Sequence, residues 1–314
     1  MNSARADGPL TRRTFGGLLL AAAAVGMSGC ATRSPERASS TDAASPAGST
    51  ATATATPRIT VASVPEAAAP VATGAAATSS PAQAVIERHA SQNPRAWGMQ
   101  LPGIRSSLDA PTSADGHPRV ALTFDACGGP AGSGFDEKLV TALIAQRIPA
   151  TLFLNGRWID ANPVVARKLF AEPLFEIGNH GTLHRPLSVR GRAAYGIPGT
   201  SSAAEAVDEV WVNHERIRSL TGRAPRWFRP GTAHYDDVAV SIVHDLGETP
   251  LGFTVNGDGG ATFPARVVAR EVGKAVGGDI VLAHMNQPGS GTADGVIAAI
   301  AALHDRGAQF VHID

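Results

Sequence analysis

The sequence predicts an α/β fold, an incomplete and distorted (β/α) barrel of about seven parallel strands. Two observations carry that prediction. From Arg119 onward, short runs rich in β-branched and aliphatic residues alternate with stretches of helical period, the signature of βα units around a parallel sheet. The alternation yields seven strand-like runs and six helix-like stretches in about 195 residues, too few for a regular eight-fold barrel.

Taken in order, the strand-like runs are residues 120–124, 150–154, 175–177, 226–228, 251–255, 279–283 and 309–313. The helix-like stretches are 137–147, 163–171, 203–220, 236–246, 264–276 and 292–306. In the third stretch Ala204, Val207, Val210, Trp211, His214 and Ile217 keep a helical period, as a core-facing helix requires. Residues 119–314 are therefore read as one folded domain.

The N-terminal part of the 314-residue chain is different in kind. Arg5, Arg12 and Arg13 precede an apolar run of roughly twelve residues, right for a signal-peptide core and too short to span a bilayer. The run ends in Met27-Ser28-Gly29-Cys30, which resembles a lipobox, and Thr11-Arg12-Arg13-Thr14-Phe15 resembles a twin-arginine export signal. Residues 1–30 are thus expected to be a signal peptide, with Cys30 carrying a lipid that holds the protein on the bacterial envelope. Residues 31–84 are mostly Ala, Thr, Ser and Pro and cannot bury enough surface to offset ordering. They read as a disordered tether spanning roughly 40 Å. Residues 85–118 are expected to cap the domain, through a short helix near 82–90 and the Trp97-to-Pro102 segment.

Composition narrows the function. Formal charge is zero, so no global field argues for nucleic acid. Only Cys30 and Cys127 exist, and lipidation of the first leaves the second unpaired. No exposed apolar helix face argues for a dimer, so a monomer is expected.

The chemistry concentrates in a few residues. His180 and His184 stand four apart, a spacing that presents two imidazoles on one face of a turn. Asp125 ends the first strand-like run. A carboxylate at a strand's C-terminal end, joined by two histidines from another loop, describes a metal-hydrolase site on an α/β scaffold.

In order along the chain, these segments resemble the polysaccharide deacetylase family, the NodB-homology domain of carbohydrate esterases. Its Thr-Phe-Asp-Asp-Gly motif is similar to Thr123-Phe124-Asp125-Ala126-Cys127-Gly128, and its His-Ser/Thr-x-x-His motif to His180-Gly181-Thr182-Leu183-His184. Its Arg-Pro turn resembles Phe228-Arg229-Pro230-Gly231, and its Leu-x-His motif resembles Leu282-Ala283-His284. An Asp- and Trp-containing motif survives partly as Asn256-Gly257-Asp258. The resemblance implies hydrolysis of N-acetyl groups on peptidoglycan or another N-acetylated glycan, with a divalent metal, zinc first, on His180 and His184. It implies Asp125 as base, His284 as acid, Arg229 orienting Asp125, and Asp258 holding the charged form of His284. His234 and Tyr235, just after the third motif, are read as structural residues first and as groove-lining residues second.

The departures leave alternatives open. Ala126 stands where the family has a metal-binding aspartate. Either Asp125 remains the base beside a two-histidine site, or Asp125 itself binds metal, or Cys127 contributes a thiolate. Gly181 replaces a hydroxyl residue, and the fourth motif lacks its tryptophan. A catalytically idle glycan-binding lipoprotein, or a hydrolase of a non-sugar amide, are the competing functions.

Overall fold

The computed structural model describes residues 80–314. The expected signal peptide, Cys30 and nearly all of the tether lie outside those residues. The first helix, α1 (Pro81–His89), opens inside the stretch expected to be tether. Ser80 explains this: its hydroxyl accepts from the Gln83 amide and Pro81 occupies the first helical position. No helix among the described residues is long and apolar enough to cross a membrane.

After α1 comes a two-residue strand, β1 (Trp97–Gly98), and then the alternation begins. It runs β2 (Arg119–Ala126), α2 (Glu137–Ala145), β3 (Ala150–Leu154), α3 (Gly156–Ala161), α4 (Pro163–Ala171), β4 (Phe175–Asn179) and α5 (Ala203–Thr221). It continues through β5 (Trp227–Phe228), β6 (Tyr235–Asp236), α6 (Asp237–Asp245), β7 (Thr249–Pro250), β8 (Val255–Asn256), α7 (Ala265–Gly273), β9 (Ile280–His284), α8 (Thr292–Asp305) and β10 (Gln309–Phe310).

The main sheet has the order β7-β5-β4-β3-β2-β9-β8, with β10 beside the start of β2. Every pairing in it is parallel, as the incomplete barrel requires. Strand β2 is central and buried from Val120 to Ala126, because helices and loops cover both of its faces. Its alternate residues serve different layers. Leu122, Phe124 and Ala126 join the core formed with α2, α7 and α8, whereas Thr123 and Asp125 face the inside of the curled sheet.

Two differences from the sequence reading have physical causes. The run 251–255 is not one strand but lies between two short ones, β7 ending at Pro250 and β8 starting at Val255, because Gly252 leaves the ladder: its amide donates to the Arg105 carbonyl and its own carbonyl accepts from Arg229. The short helix α3 was not foreseen. It is too short for a hydrophobic period and is announced only by Asn155, whose side chain accepts from the Arg157 amide. Residues 105–108 bond to Pro250 of β7 on one side and to Gly278, just before β9, on the other. Meanwhile β1 pairs antiparallel with β6.

Helix α5 is fastened to the sheet by polar contacts. The Glu248 carboxylate, fully buried, accepts from Asn179 at the end of β4 and pairs with His214 of α5 at 2.8 Å. Burial pushes its carboxyl up to about 7, against the bonds from His214 and Asn179. Between about pH 4.5 and about 7 the folded chain therefore holds a proton that the unfolded chain has released. This contribution to stability is present in full below that window and is lost as pH rises through it. Urea unfolding at pH 5 and pH 8 is expected to show a loss on the order of 3 kcal/mol at most from this group. Glu248→Gln should flatten the difference, and an unchanged difference would show that Glu248 is ionised throughout.

Candidate metal centre

The site is built at the C-terminal ends of β2, β4, β5 and β9, the end where parallel α/β sheets gather chemistry. The sheet register sets Asp125 directly beside His284. His180 immediately follows β4, and Arg229 immediately follows β5.

Arg229 is the residue on which the others converge. It is fully buried, packed over the Phe153 ring, with one guanidinium nitrogen donating to Asp125 Oδ1 at 2.8 Å and to Thr123 Oγ1 at 3.0 Å. A second nitrogen donates to the Gly252 carbonyl. Burial works against ionisation of Asp125, but the Arg229 guanidinium and the nearby His180 and His284 rings hold its carboxyl below the usual range. The Arg229 backbone also acts: its amide donates to the Asn179 carbonyl, and its carbonyl accepts from His180 Nδ1 at 2.7 Å. That bond places the His180 proton on Nδ1 and leaves the Nε2 lone pair facing the site.

Around that lone pair lies a compact donor set. The Cys127 sulfur and imidazole nitrogens of His180 and His184 all lie within 4.8 Å of one another. Cys127 Sγ is 3.8 Å from His180 Nε2, and the free oxygen of Asp125 is 3.7 Å from the same nitrogen. Burial favours the neutral thiol of Cys127. The contacts with the His180, His184 and His284 rings outweigh it and hold the thiol well below its ordinary range. Desolvation likewise opposes the charged form of His180, and Asp125 and Cys127 reverse that effect and raise it. Two imidazoles and a thiolate are donors that suit a borderline-soft divalent ion, so the residues fit the metal the fold implies.

On the other flank, His284 Nδ1 pairs with Asp258 Oδ1 at 2.9 Å, and the His284 amide donates to Asp258 Oδ2 at 2.7 Å. Thr292 donates to the same carboxylate, which is fully buried. Burial disfavours the imidazolium, but the Asp258 bond dominates the remaining influences and His284 lies well above the ordinary histidine range. Asp125, His180, His184, Arg229, Asp258 and His284 are thus brought together. Tyr235 is not: it is buried, its hydroxyl donating to the Phe228 carbonyl at 2.9 Å. His234 stays near the surface, its ring against Trp97 and Tyr195.

Sequence reasoning missed Glu209. From the buried face of α5 its carboxylate accepts from the amides of Leu183 and Arg185, folding the histidine loop around itself. The Gly181 departure follows from this, because a Cβ at that position would collide with Glu209 Oε1. His184 is held at φ 63°, a left-handed conformation that costs a non-glycine residue on the order of 1 kcal/mol. Gly231 then lets the chain pass against the His184 carbonyl, where a side chain would clash. The available signal was Glu209 and Asn213 inside the apolar stripe of α5, charged and polar residues where burial was due.

The comparisons agree with this geometry. Residues 112–251 match the model of the polysaccharide deacetylase family. An uncharacterised protein, YlxY of Bacillus subtilis strain 168, is 27% identical over 177 residues, 56% of this chain and 51% of its own length. A chitooligosaccharide deacetylase of Sinorhizobium fredii is 35% identical over 82 residues, 26% of this chain and 36% of its own. The chain therefore spans about half or less of the curated relatives it matches. Among solved structures, a family 4 carbohydrate esterase pseudoenzyme from Bacillus anthracis superposes with a TM-score of 0.54 at 24% identity, covering 67% of each chain. The fold is that of family 4 carbohydrate esterase structures, and the matched segment carries the likeness to polysaccharide deacetylases that the motif order led one to expect. The family match ends before Asp258 and His284, so geometry alone sets those two beside Asp125.

Because Glu209 touches the loop and not the donor atoms, Glu209→Ala should act through position. Zinc affinity is expected to fall about tenfold or more, measured by calorimetric titration, and unchanged affinity would show that the loop holds its shape without the carboxylate.

Proposed function

We propose that this protein is a metal-dependent hydrolase that removes N-acetyl groups from an envelope polysaccharide, peptidoglycan or another N-acetylated glycan. The observation that carries the reading is the pairing of Asp125 and His284 side by side on β2 and β9, flanking a Cys/His donor set. Amide hydrolysis needs a base for water, a polarised carbonyl and a proton for the leaving nitrogen. A divalent metal on His180 and His184, zinc first, would supply Lewis-acid polarisation of the carbonyl and activation of water. Asp125 acts as the base: Arg229 fixes one oxygen and keeps the group ionised, leaving the other free to take a proton. His284 acts as the acid, its Nδ1 committed to Asp258 so that the Nε2 proton is the one delivered to the amine.

The similarity to a chitooligosaccharide deacetylase supports an N-acetylated sugar as substrate. The signal-like N-terminus and Cys30 support an exported, lipid-anchored enzyme working on the bacterial envelope. An idle glycan-binding role has one observation in its favour, Ala126 in place of the family's second aspartate, and the retained base, acid and orienting pairs weigh against it.

Acetate release from N-acetylated peptidoglycan, by protein stripped of metal and refilled with zinc, tests the reading. Zinc-dependent release that His180→Ala abolishes is the expected result; no release with any divalent metal, by protein that remains folded, would favour a binding role. For the acid, His284→Ala should lower kcat about a hundredfold or more while KM changes little. A rise in KM alone would instead make His284 a substrate-binding residue.

A further inference from the structure

Ala126 looks like a lost metal ligand in the sequence, and the structure explains why the loss need not empty the site. Strand β2 alternates: Thr123 and Asp125 face the inside of the curled sheet, and Ala126 faces the helix-side core, fully buried with Phe124 and Leu139. The next residue to return to the inner face is Cys127. Its sulfur stands 3.8 Å from His180 Nε2 and shares a common space with His184.

We infer that Cys127 is the third protein ligand of the metal centre, ligating as a thiolate where the family's pattern has a carboxylate. Four features of the site carry this, and the inference rests on the metal-dependent reading above. First, the spacing fits. Bond lengths of about 2.3 Å to sulfur and about 2.0 Å to nitrogen, at a tetrahedral angle, separate the two donor atoms by about 3.5 Å. Second, the His180 tautomer is set by the Arg229 carbonyl, so Nε2 presents a lone pair toward the sulfur. Third, Asp125 has one oxygen committed to Arg229, and ligation by Cys127 leaves the other oxygen free for proton transfer. Fourth, Cys127 has no disulfide among the described residues and is only partly buried, so an ion has access to it.

The consequence is a change of metal preference. A carboxylate with two imidazoles accepts harder ions, whereas a thiolate with two imidazoles favours zinc or cobalt and disfavours magnesium and manganese. On binding, the S–H bond is replaced by a sulfur–metal bond and the thiol proton passes to solvent.

The test uses cobalt(II) as a spectroscopic probe in place of zinc, added to the metal-free full chain. One equivalent is expected to produce an intense near-ultraviolet charge-transfer band from thiolate to cobalt. Cys127→Ser should abolish that band and weaken cobalt binding at least tenfold. Cys127→Asp should restore binding without the band, which separates loss of a ligand from loss of folding. Cobalt bound by the wild type without a charge-transfer band, and with unchanged affinity in Cys127→Ser, would overturn the inference and return the third position to Asp125. A folded wild-type chain that binds no cobalt would overturn it as well. Acetate release plays no part in this readout: a thiolate band without deacetylation would leave the ligand assignment standing and sink the proposed activity alone.

Discussion

Everything at the reactive end of this sheet depends on one buried cation. Arg229 joins β2 to the segment after β7 through its guanidinium, and joins β5 to β4 and to His180 through its backbone. Burying a guanidinium and a carboxylate costs several kcal/mol per ion, and pairing recovers that only when hydrogen bonds satisfy both. Thr123, Gly252 and Asp125 provide most of those bonds, while Arg229 Nε lacks a partner. The pair is accordingly poor evidence for stability and good evidence for a requirement: an ionised carboxylate held in one orientation where water would otherwise be excluded. The backbone carbonyl of the same residue pins His180 in the tautomer a metal needs.

A second constraint acts on the opposite wall. The histidine loop is wrapped around the Glu209 carboxylate, and the wrapping demands Gly181 and a left-handed His184. The departures at 126 and 181 thus have local explanations rather than marking decay. Position 181 makes room for Glu209, and position 126 belongs to the core, with the neighbouring Cys127 turned inward beside the histidines.

Much of this was legible beforehand, for identifiable reasons. Strands β2 and β3 and helices α4 and α5 are long, buried and periodic, so their patterns survive in the residues. Asp125, His180, His184, Arg229 and His284 stand at strand ends, where polar residues interrupt apolar runs and become visible. The two-residue strands β5, β7, β8 and β10 carry no period of their own and owe their pairing to neighbours. Glu209 was hidden because a charged residue on a helix ordinarily means a solvated face, and Glu248 because it falls in the connection between α6 and β7; only the folded chain shows both buried and bonded. The choice among Asp125, Cys127 and water as the third ligand was not legible either, since it depends on which way each side chain turns at the end of β2.

Crystals soaked in zinc, with anomalous scattering recorded at the zinc edge, would test the central claim most directly. The account predicts one anomalous peak bounded by Cys127 Sγ and imidazole nitrogens of His180 and His184, with Asp125 still bonded to Arg229. A peak coordinated by Asp125 with Cys127 turned away, or no peak between the two histidines, would contradict it.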